Sequence, residues 1–282
     1  MTARELLTTI CMGDFMATYV LSDIHGHRAA FEKALALIEP DENDRIYLLG
    51  DMVDRGPDPV GVMRLAHNNP HMTVLKGNHE AMMLDCLDSP EDTLQWGTWV
   101  LNGGETTAQG LMDMVPDAMD HLVKWVRGLP LYEVVEVGDK LFLLTHAGIR
   151  PVAPEQQKDQ WTAFDLEDLA KSQDPEDLLW IREEFWNHPT GLKNAQGEGP
   201  LVVSGHTPTS YLPHFAEQVD ASCYDENGHA IMVEMGATPE TGHVADKIDI
   251  DCAAAGGYPA GQIGVLRLED GFKFYVPIEE GE

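Results

Sequence analysis

MATYVLSDIHGH, residues 16–27, is a short apolar run that ends in Asp23, His25 and His27 around a single glycine. RIYLLGDMVDRG (45–56) repeats that plan, and MTVLKGNHE (72–80) repeats it again. Between them lie RAAFEKALALIE (28–39) and PVGVMRLAHNN (59–69), whose apolar residues recur at three-to-four spacing, as Phe31, Leu35 and Ile38 do. Short apolar runs separated by amphipathic helices predict a βαβαβ unit. Such a unit builds a parallel sheet with right-handed crossovers, and its ligands gather beyond the carboxyl ends of the strands. The polar residues at these three strand ends are therefore the first place to look for chemistry.

Outward from this unit, residues 80–130 predict a mostly helical block, broken at Gly103-Gly104 and Pro116 and stopped at Pro130. We read it as a cap. LYEVVEV (131–137) and KLFLLTHAG (140–148) follow as a hairpin about Gly138-Asp139, and from there a β-meander is expected to replace βαβ. After a polar, helical stretch at 155–190 come LVVSGHT (201–207), a hairpin about Asp225–Gly228, and then KIDID (247–251), QIGVLRLED (262–270) and FKFYVPI (272–278). No internal repeat or low-complexity linker divides the chain. The fold class expected is α/β, a two-sheet β-sandwich flanked by helices, in one domain over 16–282 with the cap inserted at about 80–130. Residues 1–15, MTARELLTTICMGDF, are unlike the strand that follows, and Met12 and Met16 offer later starts. They are expected to be an extension or a mis-called start.

Composition narrows the function. Of 282 residues, 18 are Lys or Arg and 48 are Asp or Glu, a formal charge of −30. That sign of surface repels the phosphates of long DNA or RNA and excludes them as partners, while a solvated acidic exterior is the plain reading of it. Cys11, Cys86, Cys223 and Cys252 lie far apart with no CxxC spacing. This argues against a zinc-thiolate site and a disulfide framework, and fits a reducing compartment. No apolar run approaches the roughly 20 residues that span a bilayer, and the N-terminus lacks a signal-peptide layout. The expected location is cytoplasmic, with no membrane partner.

Two later strands end as the first three do, in Thr145-His146-Ala147-Gly148 and Ser204-Gly205-His206-Thr207. One Asp-x-His after a strand is most often a turn with a satisfied histidine, but five such endings on five apolar strands form a set. DIHGH, GDMVDRG, GNHE, THAG and SGHT, in that order over residues 19–207, resemble the motifs of the calcineurin-like metallophosphoesterases and, within them, of the phosphoprotein phosphatase family. KIDID adds further similarity. The resemblance implies that Asp23, His25 and Asp51 hold one metal and that Asp51, Asn78, His146 and His206 hold another, with Asp51 bridging. It implies two divalent ions, taken as Mn²⁺ with Fe or Zn²⁺ as alternatives, and direct attack on phosphorus by a hydroxide that bridges them. Carboxylate, amide and imidazole ligands without thiolate suit those metals, and a shared carboxylate holds two ions at about 3.5–4 Å.

Arg55 and Arg182, the latter in LLWIREEF, are the expected clamps for phosphoryl oxygens, since a planar guanidinium matches two of them at once. Arg182 rests on a looser likeness to the family's Trp-x-Arg segment, and an exposed helix arginine is the alternative. His79, beside Asn78, is expected to be the protonated acid for a leaving alcohol, oriented by Asp54, which would help it keep its proton. Asp54 also reads as a cap or turn residue. His27, His67, His71, His121, His188, His214, His229 and His243 fit no ligand position and are expected mostly at the surface or in loops. Trp96 and Trp99 with Asn102-Gly103-Gly104 read equally as a cap over the cleft or as packing, and Met82 and Met83 read as helix core.

Relatives have a shorter segment than residues 208–247 here, and more often Asp-Thr-Gly where this chain has Asp251-Cys252-Ala253, which puts a phosphate contact from that turn in doubt. The insertion reads as a specificity element or as a surface loop. The function expected is a phosphatase acting on phosphoserine or phosphothreonine in proteins, with hydrolysis of dinucleoside polyphosphates as the alternative, because a related branch shares the metal ligands. Symmetrical dinucleoside tetraphosphatases usually carry Ala at the position of Asp54 and Asp at that of Glu80, which favours the phosphatase. A non-catalytic module requires a missing ligand, clamp or acid, and none is missing. No regulatory partner is legible.

Overall fold

The computed structural model describes residues 16–217, 219 and 221–282, so the expectation for residues 1–15 lies outside the described residues. The opening unit forms as read: β1 (Thr18–Leu21), α1 (Arg28–Ile38), β2 (Arg45–Leu48), α2 (Pro59–His67) and β3 (Met72–Val74). The three strands are parallel, with Thr18 opposite Arg45 and Ile46 opposite Met72. Local chemistry sets the helix starts. Asp58 caps α2, its Oδ1 accepting from Gly61 N–H at 2.8 Å, and Pro59 fills the first helical position, where no N–H is needed.

Helices α3 (Asn78–Asp88), α4 (Thr93–Leu101), α5 (Glu105–Met112) and α6 (Pro116–Arg127) make up the helical block between β3 and the next strand. The hairpin of β4 (Tyr132–Val137) and β5 (Lys140–Thr145) turns at Gly138, whose φ of 62° suits a residue without Cβ. Next come α7 (Ala163–Ser172), α8 (Pro175–Trp180), α9 (Glu183–Asn187), β6 (Leu201–Ser204), α10 (Leu212–Phe215), β7 (Val233–Met235), β8 (Lys247–Asp249), β9 (Gln262–Arg267) and β10 (Lys273–Pro277).

Two five-stranded sheets result, ordered β10-β9-β1-β2-β3 and β4-β5-β6-β8-β7. The meander expected for the second half is confined to the consecutive antiparallel pairs β4-β5, β7-β8 and β9-β10. β5, β6 and β8 run parallel, because α7 to α9 carry the chain back between β5 and β6. β9 and β10 leave the second sheet altogether and complete the first, β9 antiparallel to β1 and β10 antiparallel to β9. The insertion at 208–247 supplies β7 as the edge strand of the second sheet, and the expected hairpin beside it closes with a bridge from Tyr224 to Ala230.

The sheets face each other through Val20, Tyr47, Leu49, Phe142, Leu144, Val203 and Ile248. A second core packs α1, α2 and the helical block on the outer face of the first sheet, and a third packs α7 to α9 on the second. The layers are therefore helix, sheet, sheet, helix, which is the expected α/β sandwich. Parallel strands in both sheets end on one side, bringing the motifs of β1, β2, β3, β5 and β6 together. Among the described residues no helix is long and apolar enough to cross a membrane.

Candidate active site

The strand-end loops lock into one another. His25 N–H donates to Asp51 C=O and Gly26 N–H to Met52 C=O, each at 2.9 Å, and Gly56 N–H returns to His25 C=O at 2.9 Å. A Cβ on Gly56 would stand 2.3 Å from that His25 oxygen, so only glycine permits the approach. The cost of these turns is local strain. Among the described residues nine other than glycine have positive φ, and six of them are Asp23, His25, Asp51, Asp54, Arg55 and His206. Left-handed backbone at such residues costs about 1–2 kcal/mol each, and strain concentrated in one place marks a site rather than a scaffold.

Asp51 is at the centre. Its Oδ2 lies 3.5 Å from His25 Nε2 and its Oδ1 3.6 Å from His146 Nε2, while Asp23 Oδ1 lies 4.0 Å from His25 Nε2. Asn78 Oδ1 lies 2.8 Å from His146 Nε2 and 2.9 Å from His206 Nδ1. Asp23, His25, Asp51, Asn78, His146 and His206 are all at most 4% exposed. The fold thus gathers the six residues expected to hold metal. Among the described residues, His25 with Asp51 and His79, and Asp51 with His146 and His206, bring one side-chain ligand atom each within 4.8 Å of one another. His79 Nε2 also lies 3.9 Å from Asp51 Oδ2.

These residues suit divalent cations. His25 Nδ1 donates to Val53 C=O and His146 Nδ1 to Leu49 C=O, both at 2.9 Å, which assigns the lone pair to Nε2 on the side of Asp51. His146 Nε2 then faces the Asn78 oxygen lone pair to lone pair at 2.8 Å, an arrangement that a cation beside both relieves. Burial lowers the pKa of His25, His146 and His206, so the rings are neutral, as ligation requires. Burial, then the charges of Asp23 and Glu80, raise Asp51 well above the usual carboxylate range, and Asp23 Oδ1 is buried with no partner. Crowded carboxylates of this kind are what positive charge stabilises.

Beside this cluster, His79 Nδ1 lies 2.6 Å from Asp54 Oδ2, as the expected orienting contact requires. The electrostatic direction is the opposite of that expectation: burial, then Arg55, lowers His79 well below the usual imidazole range. Burial likewise pushes Asp54 up to about 7 against hydrogen bonds from Thr107 and Trp99. Burial therefore disfavours the charged form of each partner. Arg55 Nη2 lies 3.4 Å from His79 Nε2. Arg182 is not on a helix but in the break between α8 and α9, half-buried, its Nη2 3.5 Å from His206 C=O, with Asp251, Asp23 and Asp51 as the carboxylates that act on it. Both arginines therefore border the cluster.

Several residues escaped the sequence reading. Glu80 is fully buried and accepts three backbone N–H groups, from Asp51 and Gly77 at 2.8 Å and Met52 at 2.7 Å, tying the β2 loop to the β3 loop. Its place right after Asn78-His79 was the only signal. Trp99 packs in the core, one of the two expectations for it, and with Thr107 it also hydrogen-bonds to Asp54. Asp251 joins the cluster at 1% exposure, raised well above its usual range by burial and Asp23. His27, expected at the surface, is 4% exposed. His71, His121, His188, His214 and His243 are exposed and His67 and His229 half-buried, and none is in the metal groupings.

A family model described as calcineurin-like phosphoesterase matches residues 16–234. Among curated relatives, the symmetrical bis(5'-nucleosyl)-tetraphosphatase of Acidovorax sp. (strain JS42) is 35% identical over 60% of this chain and 53% of its own. Serine/threonine-protein phosphatase 1 of Salmonella typhimurium is 29% identical over 77% of this chain and 90% of its own. The chain spans about half the length of the tetraphosphatases it matches, which include that of Proteus mirabilis at 33% identity over 48% of this chain and 46% of its own. A solved structure described provisionally as a diadenosine tetraphosphatase shares the fold, with TM-score 0.58 over 95% of this chain and 96% of the other at 17% identity. With the family model matching residues 16–234 and the strand-end motifs gathered in one place, the chain belongs to the calcineurin-like phosphoesterase family.

Proposed function

We propose that the chain is a metal-dependent phosphoprotein phosphatase hydrolysing phosphoserine and phosphothreonine monoesters. Asp23, His25 and Asp51 would hold one divalent ion and Asp51, Asn78, His146 and His206 a second. Bound there, the ions, Mn²⁺ with Fe or Zn²⁺ as alternatives, would supply Lewis acidity and lower the pKa of water. Arg55 and Arg182 bind the phosphoryl oxygens from two sides and fix phosphorus in place. A phosphate dianion held beside His79 favours the imidazolium, opposing burial, and Asp54 keeps Nδ1 engaged so that the Nε2 proton goes to the departing oxygen. The buried free thiols Cys86, Cys223 and Cys252 suit a reducing cytoplasm.

The observation that carries this reading is the 2.6 Å pair of Asp54 and His79. A serine or threonine alkoxide is a poor leaving group and needs a proton in the transition state. A nucleotide split from a dinucleoside polyphosphate departs as a stabilised phosphate anion and needs none. The second reading, a dinucleoside polyphosphate hydrolase, draws on the 35% identity to a symmetrical tetraphosphatase. The separating experiment compares kcat/KM on a phosphoserine or phosphothreonine peptide with that on diadenosine tetraphosphate, using metal-stripped protein reloaded with Mn²⁺. Preference for the peptide supports the phosphatase. Preference for the nucleotide replaces the substrate, and turnover of neither returns the non-catalytic reading.

A further inference from the structure

Three donors converge on the Asp54 carboxylate, and two of them come from α4 and α5 of the helical block. The Trp99 indole N–H, on α4, lies 2.9 Å from Oδ2 and 3.1 Å from Oδ1. The Thr107 hydroxyl, on α5, donates to Oδ1 at 2.6 Å and accepts from Asp54 N–H at 2.8 Å. His79 Nδ1, at 2.6 Å from Oδ2, is the third. Asp54, Trp99 and Thr107 are all fully buried. Thr107 spends both hydrogen-bonding functions of its hydroxyl on one residue, which packing alone would not require, since valine has the same shape. A carboxylate torsion is intrinsically broad, so without these donors Asp54 would turn and let the imidazole swing with it.

The bend between α4 and α5 grips the neighbouring residue as well. Arg55 N–H donates to Gly103 C=O at 2.9 Å, and a Cβ on Gly103 would come within 2.7 Å of Arg55 Cγ. A Cβ on Gly104 would stand 2.5 Å from the Trp99 ring, so the two glycines let the helices close around Asp54 and Arg55.

We infer that Trp99 and Thr107 are positioning residues for proton transfer, fixing Asp54 so that His79 keeps Nε2 turned toward the leaving oxygen. The inference rests on the phosphomonoesterase reading. The role predicts a loss that depends on the leaving group, which a merely structural role would not produce.

The test is Thr107→Val, Thr107→Ser and Trp99→Phe in the full chain loaded with Mn²⁺. Each is assayed on a phosphoserine peptide, whose leaving group needs a proton, and on p-nitrophenyl phosphate, whose leaving group does not. Thr107→Val and Trp99→Phe should lower kcat on the peptide by about 10–100-fold, as loss of an orienting outer partner does, with a much smaller loss on the aryl ester. Thr107→Ser, which keeps the hydroxyl, should recover most of the peptide rate. Equal losses on both substrates, or a Val variant that matches the Ser variant, would overturn the inference. His79→Asn separates the two levels. If it shows the leaving-group dependence and the other variants do not, only the role of Trp99 and Thr107 fails; if it shows none, the phosphatase reading fails and the inference with it. Should Trp99→Phe not fold, the Thr107 pair decides.

Discussion

Glu80→Gln should weaken the protein at the junction of two metal-bearing loops. Glu80 Oε2 accepts from Asp51 and Gly77 N–H at 2.8 Å each, and Oε1 from Met52 N–H at 2.7 Å. Glutamine has one acceptor oxygen. Its best placement serves Asp51 and Gly77 and turns the amide NH₂ against Met52 N–H, leaving one buried donor unmet at a cost of about 1–3 kcal/mol. For a chain of this size that is a fall of about 2–4 °C in Tm per kcal/mol. Glu80→Ala removes all three acceptors and approaches three times the cost unless water enters the space, a large share of the roughly 5–15 kcal/mol that holds a domain folded. The substitution also removes a charge that repels Asp51, so the assay is thermal and urea melting of the Mn²⁺-loaded protein, where cations already offset that repulsion. Metal affinity read by titration should fall by about 10–100-fold, because Asp51 and Asn78 are no longer held in register. A Gln variant with the melting midpoint and affinity of the parent would refute the reasoning.

Asp51→Asn should bind neither ion tightly and lose turnover, since its two oxygens face His25 and His146; metal content and activity near those of the parent would count against the bridge. His79→Asn should keep its metal yet lose about 10²–10⁴-fold in kcat on a phosphoserine peptide and much less on an aryl phosphate, and equal losses on both would remove His79 from the acid role. Stability of the metal-stripped protein should fall as pH rises above about 6.5. Burial raises Asp51, Asp249 and Asp251 well above their usual range and Asp54 and Glu80 to about 7, so the fold holds protons that the unfolded chain has released. His25, His79, His146 and His206, all lowered, act in the opposite sense only below the ordinary imidazole value of about 6.5. Urea midpoints at about pH 7 and pH 8 check this, and a stripped protein that is more stable at the higher pH would contradict it.

Periodicity made the first sheet legible, because β1, β2 and β3 are short apolar runs between amphipathic helices. The second sheet was harder. β5, β6 and β8 pair in parallel across long polar segments, and nothing local to β9 and β10 says that they cross to the first sheet. β7 is three residues at an edge, too short to show a period. Among site residues, Asp23, His25, Asp51, Asn78, His146 and His206 stood out because each follows an apolar strand in a fixed motif. Glu80, Trp99 and Thr107 act through hydrogen bonds made across the fold, and apart from the place of Glu80 beside Asn78-His79 their types and spacing carry no mark of it. Asp54 was legible as a partner of His79, but the burial that sets the charge of the pair arises only when α4 and α5 close over it.

If these strand ends form one two-metal site that drives hydrolysis, metal loading and turnover must rise together. The most direct measurement is metal content per chain, followed together with phosphopeptide hydrolysis as stripped protein is titrated with Mn²⁺. Two ions per chain are expected, with turnover absent at the start and complete once both are bound. Full activity in stripped protein, or saturation at a single ion with no further gain, would contradict this.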